Sequence, residues 1–483
     1  MINNSRLLFY IPFLIVLLNT IVKGIFIEST SIAGDEPFSI FHAQMDIGAI
    51  IELLRQGNNP PFYELFLHYW IKLFGISELA VRIPSLVFSS LTCLYLFKTG
   101  KRFFNIRVGL VASIIYIFSN YHILLSHEAR GYALLGMLAV MSMYCFLKIV
   151  NEQASKTSFF LLAIINGILL YTHYFSLFLI VLQATLFILN PRIRNKSLRP
   201  FIFYGTSLTI LYLPNLMVLF HRFMDSSSKG TWLRPPRGLE DLYNRIWAFS
   251  NSPVVTVLCI LILVISAILW LKNRSLKGEN SLNRNIIFLW FWGPFLLMFT
   301  ISFWIPMFLD RYLMFFAVAY PLVLSIIADR ITKKPMYRNS ILSVLSILFI
   351  VSVKPNIGNK RKVAETVEKI SELKNENCLV VICPENFLIN YLYYENRNLF
   401  ALAENELSFE SIKKLAQEQN IMAVNSIQDI PLNSFNQVLY LDAAANFSFP
   451  NNNIVHDLEQ EYNLKEKHFF YEIFNVYDFH KRK

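Results

Sequence analysis

Long apolar stretches recur along the chain, separated by polar connections. A bilayer's hydrocarbon core takes about 20 apolar residues of helix. Eleven stretches approach or reach that length: 7–27, 79–97, 108–126, 131–149, 158–174, 175–190, 201–220, 253–271, 286–304, 312–329 and 339–354. The pattern predicts a polytopic bundle of about eleven spanning helices, with a tight turn near His173 between the fifth and sixth.

The connections alternate in character. One set is short and basic: Lys98, Lys101, Arg102 and Arg107; Lys148 and Lys156; Arg192, Arg194, Lys196 and Arg199; Lys272, Arg274, Lys277 and Arg284; Arg330, Lys333, Lys334 and Arg338. Basic residues flank spans on the cytoplasmic side. The other set then faces outside: 28–78, the corner Ser126–Arg130, 221–252 and 305–311. An odd number of spans starting from a cytoplasmic N-terminus puts the tail outside as well. The expected location is a membrane, crossed many times from a cytoplasmic N-terminus.

Two outer regions carry patterns of their own. In the first loop, Ser39–Gln56 and Pro61–Phe74 have helical spacing and apolar content suited to lying along a membrane surface. Asn58, Asn59, Pro60 and Pro61 break them, since proline and the residue before it resist helix. After residue 355 the composition shifts to Asn, Glu and Lys. Strand-like runs Leu379–Cys383, Gln437–Leu441 and Phe474–Phe479 alternate with helix-like runs Lys362–Lys374, Ser408–Gln419 and Ile454–Tyr462. The expected organisation is a mostly α membrane helix bundle over 1–355 and a small extracytoplasmic α/β domain over 356–483.

Composition agrees with the pattern. Of 483 residues, 55% are hydrophobic and 16% charged, against roughly 25% charged in soluble domains. The net charge of +11 is carried largely by the basic connections, so it reads as topology and calls for no nucleic acid. Five cysteines form no disulfide framework. Cys378 and Cys383 fall on one strand-like run, about 16 Å apart at strand spacing, beyond bridging distance.

Candidate chemistry gathers at the outer corners. Asp35 and Glu36 follow the first span. They suit either a helix cap before Pro37 or a base accepting a proton from a hydroxyl. Ser126-His-Glu-Ala-Arg-Gly-Tyr132 is either a polar turn with a local Glu128–Arg130 pair, its arginine reaching lipid phosphate, or a grip on a substrate phosphate by Arg130. Asp310, Arg311 and Tyr312 allow the same two readings, an interfacial ion pair or a second phosphate ligand. His173 is an interfacial residue or a substrate contact. Glu64 and His68 lie four apart on a helix face, but two ligands make no metal site. Glycine-rich phosphate loops, Ser–His–Asp arrangements and Cys-rich metal motifs are absent from the sequence.

The order of these fragments is similar to a known family. An acidic pair follows the first span, then Asn59-Pro-Pro-Phe-Tyr-Glu-Leu-Phe-Leu-His-Tyr-Trp70, Phe74-Gly-Ile-Ser-Glu78, Arg82-Ile-Pro-Ser85, Ser126–Tyr132, Thr172-His-Tyr174 and Arg311-Tyr312. Over roughly 1–355 this resembles the bacterial branch of the dolichyl-phosphate-mannose–protein mannosyltransferases, glycosyltransferase family 39, of GT-C type.

The resemblance implies a sugar donor on a polyprenyl phosphate, within the bilayer, and transfer to an acceptor hydroxyl with inversion. Asp35 maps onto the family's catalytic base, with Glu36 assisting. Arg130 and Arg311 match arginines expected near the donor phosphate. Asn59 stands at the position before Pro-Pro, and Glu128, Tyr132, His173 and Tyr312 complete the expected substrate contacts. No cofactor is implied, and a divalent metal is compatible but not required. Partners are the lipid-linked donor, membrane lipids, and a protein, lipid or glycan acceptor. The non-enzyme alternative is a transporter or flippase of a lipid-linked or small polar substrate. That reading calls for midplane charges and repeated halves, whereas here the charges gather at one face and no repeat is seen.

Overall fold

The computed structural model describes residues 4–482 apart from 58, 153–154, 232, 273–280, 358–360, 402–407, 427–429, 450 and 472–473. Asn58, Arg274 and Lys277 therefore lie outside the described residues. The chain forms two compact units. One comprises 1–27, 54–63 and 82–357, the other 28–53, 64–81 and 358–483.

The first unit is helical. Among the described residues, five helices are long and apolar enough to cross a membrane: Glu78–Phe103, Tyr132–Asn151, Leu198–Ser228, Ser281–Ile301 and Pro335–Ser352. Three bent pairs join them, Ile106–Ile117 with Asn120–Ser126, Leu239–Phe249 with Pro253–Ile265, and Asp310–Ala317 with Tyr320–Arg330. Phe9–Gly24, Lys156–Thr172 and Tyr174–Leu189 are shorter apolar helices. Every expected span falls on one of these. Many of their large apolar side chains, among them Phe13, Ile210, Leu213, Met217, Leu261 and Val351, are exposed on the protein's own surface. Such a surface suits lipid rather than water.

Inside the helical unit the packing has two devices. Gly100 and Gly109 let two helix backbones touch; a Cβ on Gly100 would lie 2.5 Å from the Gly109 α-carbon. Small residues serve such close approach in membrane bundles. Four polar side chains also close a network. Ser142 Oγ donates to Asn166 Oδ1 (2.6 Å), and Asn166 Nδ2 donates to Gln183 Oε1 (2.8 Å) and to the Tyr204 hydroxyl (2.7 Å). Gln183 Nε2 returns to Ser142 Oγ at 2.7 Å. Four helices are thereby tied by groups whose hydrogen-bonding capacity is matched within apolar surroundings.

Two features differ from the sequence-based expectation. The helix Pro191–Lys229 is continuous over 39 residues, through the basic connection expected at its start and past the expected end at 220. Then Leu239–Phe249, expected as loop, is a helix meeting Pro253–Ile265 at 105°. Asn251 holds that bend in the left-handed region at φ 64°. Its Nδ2 donates to Phe118 O (2.7 Å), and its Oδ1 accepts from Asn120 N (2.7 Å). One asparagine thus satisfies the backbone groups opened by a second bend, 63° at Phe118–Ser119.

The second unit contains a five-stranded sheet: β1 Cys378–Cys383, β2 Ile421–Ala423, β3 Gln437–Ala443, β4 Tyr462–Tyr471 and β5 Phe474–Lys481. The order is β2-β1-β3-β5-β4. β1 pairs in parallel with β2 and β3, while β5 runs antiparallel to both β3 and β4. Val381, Val438, Tyr440 and Phe479 form one apolar face, closed by Ile454 and Leu458 of the helix Ile454–Glu461. β4 escaped the sequence reading because it is an exposed edge bearing Lys465, Glu466 and Lys467, charges that guard an unpaired edge and erase apolar alternation. β2 is three residues long, and the helix Leu388–Glu395 also went unrecognised.

Candidate active site

The acidic loop is built within the second unit. Ile32 and Ala33 are buried, and Gly34 takes φ +63°, the left-handed conformation that glycine tolerates. The chain then enters the helix Glu36–Ala43 with Asp35 at its N-cap and Pro37 in its first turn. Asp35's side chain makes no capping hydrogen bond. Glu36 does the local work instead: it is buried, and its Oε2 accepts from Ala33 N at 3.4 Å. Asp35 is half-buried. Asp35 thus holds the cap position, while Glu36 braces the loop that precedes the helix.

The residues that follow hold this helix in place. Ser39 Oγ donates to Glu64 Oε1 at 2.9 Å. His68 Nδ1 lies 2.9 Å from Ala43 O, so that nitrogen carries the proton and donates. Glu64 and His68, four apart on Phe62–Phe74, thus both serve the helix bearing the acidic pair. Asn59 is half-buried in the turn before that helix.

The cationic corner is built within the helical unit. The turn after Asn120–Ser126 is fixed by backbone contacts. His127 Nε2 donates to Lys23 O (2.6 Å), Ser85 Oγ to Glu128 O (2.6 Å), and Arg130 N to Glu128 O (2.8 Å). Arg130 is 6% exposed, its guanidinium carbon 5.8 Å from the Tyr132 ring centre. Gly131 packs closely on Tyr63; a Cβ there would meet Tyr63 Cβ at 3.3 Å.

His173 sits in the break between Lys156–Thr172 and Tyr174–Ser176, outside both. Its ring lies 5.3 Å from that of Tyr312 and 5.3 Å from that of Phe175. Burial, then the charges of Arg130 and Arg311, pull its imidazole down to about 3. Nδ1 accepts from Phe175 N at 3.2 Å, so the neutral ring carries its proton on Nε2 and can donate there. The helical unit thus brings His173 and Arg311 to one ring, that of Tyr312, the Arg311 guanidinium carbon lying 5.7 Å from its centre.

Four contributors are not signalled by the sequence. Arg245, on Leu239–Phe249, pairs with the carboxylate of Asp310, and the Tyr121 hydroxyl donates to Asp310 O at 2.7 Å. Together they fix the short turn Asp310–Leu313 that presents Arg311. In the other unit, Arg361 lies against Gly34, in the space a Cβ would need. Tyr394 hydrogen-bonds the loop at Ile32. Each acts through contacts far along the chain, which no local pattern announces.

Comparison with known proteins agrees with this architecture. Residues 58–218 match the sequence model of the family described as dolichyl-phosphate-mannose-protein mannosyltransferase. A search of curated protein sequences gives no match. The fold is similar to ArnT from Cupriavidus metallidurans in the apo state, with a TM-score of 0.59 and 11% identity, covering 96% of this chain and 97% of that one. The same protein bound to undecaprenyl phosphate gives 0.57 at the same identity and coverage. The archaeal oligosaccharyltransferase AglB from Archaeoglobus fulgidus, in complex with an inhibitory peptide and a dolichol-phosphate, gives 0.51 at 11% identity, over 89% of this chain and 69% of that one. At such identity the structural likeness is one of fold. The chain therefore has a fold similar to that of ArnT, and its residues 58–218 match the family model described as dolichyl-phosphate-mannose-protein mannosyltransferase.

Proposed function

We propose that this chain is a multi-pass membrane glycosyltransferase that moves a hexose from a polyprenyl-phosphate donor to a hydroxyl of an extracytoplasmic acceptor, with inversion. The observation that carries the reading is the cationic corner of the helical unit: buried Arg130, and half-buried Arg311 with its guanidinium carbon 5.7 Å from the Tyr312 ring, which itself lies 5.3 Å from the ring of His173. Two guanidiniums with a neutral donor suit a phosphate ester better than a neutral solute. The lipid carriers named for ArnT and AglB, undecaprenyl phosphate and dolichol-phosphate, are of that chemical class.

In this reading Asp35 takes the proton from the acceptor hydroxyl. The oxygen forms its bond to the anomeric carbon opposite the phosphate, as the carbon–oxygen bond to phosphate breaks. The transition state is oxocarbenium-like, and the electron pair leaves on the lipid phosphate. Arg130 and Arg311 stabilise that developing charge, with His173 Nε2–H as a further donor. Prepositioned donors of this kind supply a large share of many rate enhancements. The positive-inside pattern supports an N-terminus in the cytoplasm and an outer face for all these residues, in a bacterial cytoplasmic membrane.

The test uses the phosphate carrier itself, which is independent of the sugar. The full chain in nanodiscs binds polyprenyl phosphate and discriminates against the neutral polyprenol. Arg130→Ala weakens the first about ten- to a hundredfold and leaves the second unchanged. Equal binding of both lipids by the unaltered chain contradicts the proposal.

A further inference from the structure

The loop that carries Asp35 is held from the tail, within the second unit. The Tyr394 hydroxyl, on Leu388–Glu395, accepts from the Ile32 backbone N–H at 2.6 Å. The same hydroxyl donates to Glu78 Oε1 at 2.6 Å. Its neighbour Tyr393 donates to Ile76 O at 2.7 Å, and Ala364 N donates to Ser31 Oγ at 3.2 Å. The rings of Phe41 and Phe400 meet at 5.6 Å, and Arg361 packs on Gly34.

These contacts bracket Asp35 on both sides. Between the anchored Ile32 and the helix that starts at Glu36 only three residues intervene, one of them the positive-φ Gly34. A displacement of Ile32 has few rotatable bonds in which to dissipate before it reaches the Asp35 carboxylate. Hydroxyl donation to Glu78 also matters. It fixes the direction of the tyrosine O–H, so the oxygen's lone pairs face the Ile32 amide.

We infer that Tyr394 is a positioning residue for the reaction: through the Ile32 amide, and oriented by Glu78, its hydroxyl sets the placement of Asp35. This rests on the reading of Asp35 as the base. It gives the tail a role in the transfer step itself, distinct from acceptor docking. Transfer geometry is sensitive to placement, and a misplacement of about 1 Å can lower a rate a hundredfold.

The test is Tyr394→Phe in the full chain in nanodiscs, with a panel of polyprenyl-phosphate hexoses as donors and water or glycerol as the acceptor hydroxyl. Released polyprenyl phosphate is measured, together with hydrogen exchange at the Ile32 amide. The expected result is a kcat about tenfold lower, a donor KM within about twofold of the unaltered chain, and Ile32 exchange about tenfold faster. Glu78→Gln, which keeps an oxygen acceptor, retains most of the rate, while Glu78→Leu loses rate at constant KM. That pair reports on the same link if Tyr394→Phe does not assemble. A raised KM at unchanged kcat overturns the inference, as does full kcat in Tyr394→Phe. Asp35→Asn run in parallel separates the layers. If it is inactive while Tyr394→Phe is fully active, only the positioning role falls. If Asp35→Asn itself transfers at full rate, the base beneath it falls too.

Discussion

Asp35 and Glu36 are adjacent, yet their side chains are put to different uses. Glu36 is buried and bonded to the Ala33 amide, whereas Asp35 occupies the cap position without capping. A pair of acids at a membrane edge was legible in the sequence; the division of labour depends on one turn of backbone. Arg130, His173 and Arg311 were legible for a similar reason, as polar residues at the ends of apolar runs. The meeting of His173 and Arg311 at the Tyr312 ring was not, because it joins separate corners of the chain. The two arginines should act together. Arg130→Ala and Arg311→Ala, combined, lose less polyprenyl-phosphate affinity than the sum of the single losses, since groups sharing one ligand are coupled. A binding titration of the four forms measures this, and strict additivity would argue for separate sites. His173 has its own signature. Its folded value near 3 lies below its ordinary 6.5, so between those values the unfolded chain binds the proton and the folded chain does not. Folding stability contributed by the neutral imidazole is complete above about 6.5 and is lost as pH falls toward 3. Thermal unfolding should therefore weaken more steeply with acidification in the unaltered protein than in His173→Asn. Parallel acid limbs in the two proteins would be inconsistent with a depressed imidazole.

Among elements, apolar length located every helix suited to spanning the membrane, because a bilayer demands long apolar runs and little else. Bends were harder to foresee. The 105° turn at Asn251 needs a left-handed asparagine whose side chain repairs backbone groups at Phe118 and Asn120, more than 130 positions away in sequence. The edge strand β4 was hidden by the charges that protect it. Polar positions inside spans likewise gave no hint of partnership. Ser142, Asn166, Gln183 and Tyr204 sit in four apolar helices and find one another only in three dimensions. Asn166→Leu removes the hub and strands its partners. A loss of about 1–3 kcal/mol follows from the cost of buried unsatisfied polar groups, read as easier unfolding in a denaturant titration. Unchanged stability would mean that the four side chains find equally good partners elsewhere.

For the molecule as a whole, the two compact units divide the chain in a way that no single boundary in the sequence reveals. The outer-loop segments 28–53 and 64–81 belong with the tail, while 54–63 belongs with the helices. The acid-bearing loop is thus built by contacts with residues more than 300 positions later. The basic connections and the apolar surface fit a membrane protein, and the likeness to ArnT is one of fold. Under the proposed function, transfer turns on one carboxylate, that of Asp35. The most direct measurement is single-turnover release of polyprenyl phosphate from polyprenyl-phosphate hexoses by Asp35→Asn in nanodiscs, with water or glycerol as the acceptor hydroxyl and carrier-lipid binding followed in the same preparation. The account predicts binding within about twofold of the unaltered chain and a rate at least about a hundredfold lower, the scale of a lost general base. Transfer at the unaltered rate by that variant would contradict it.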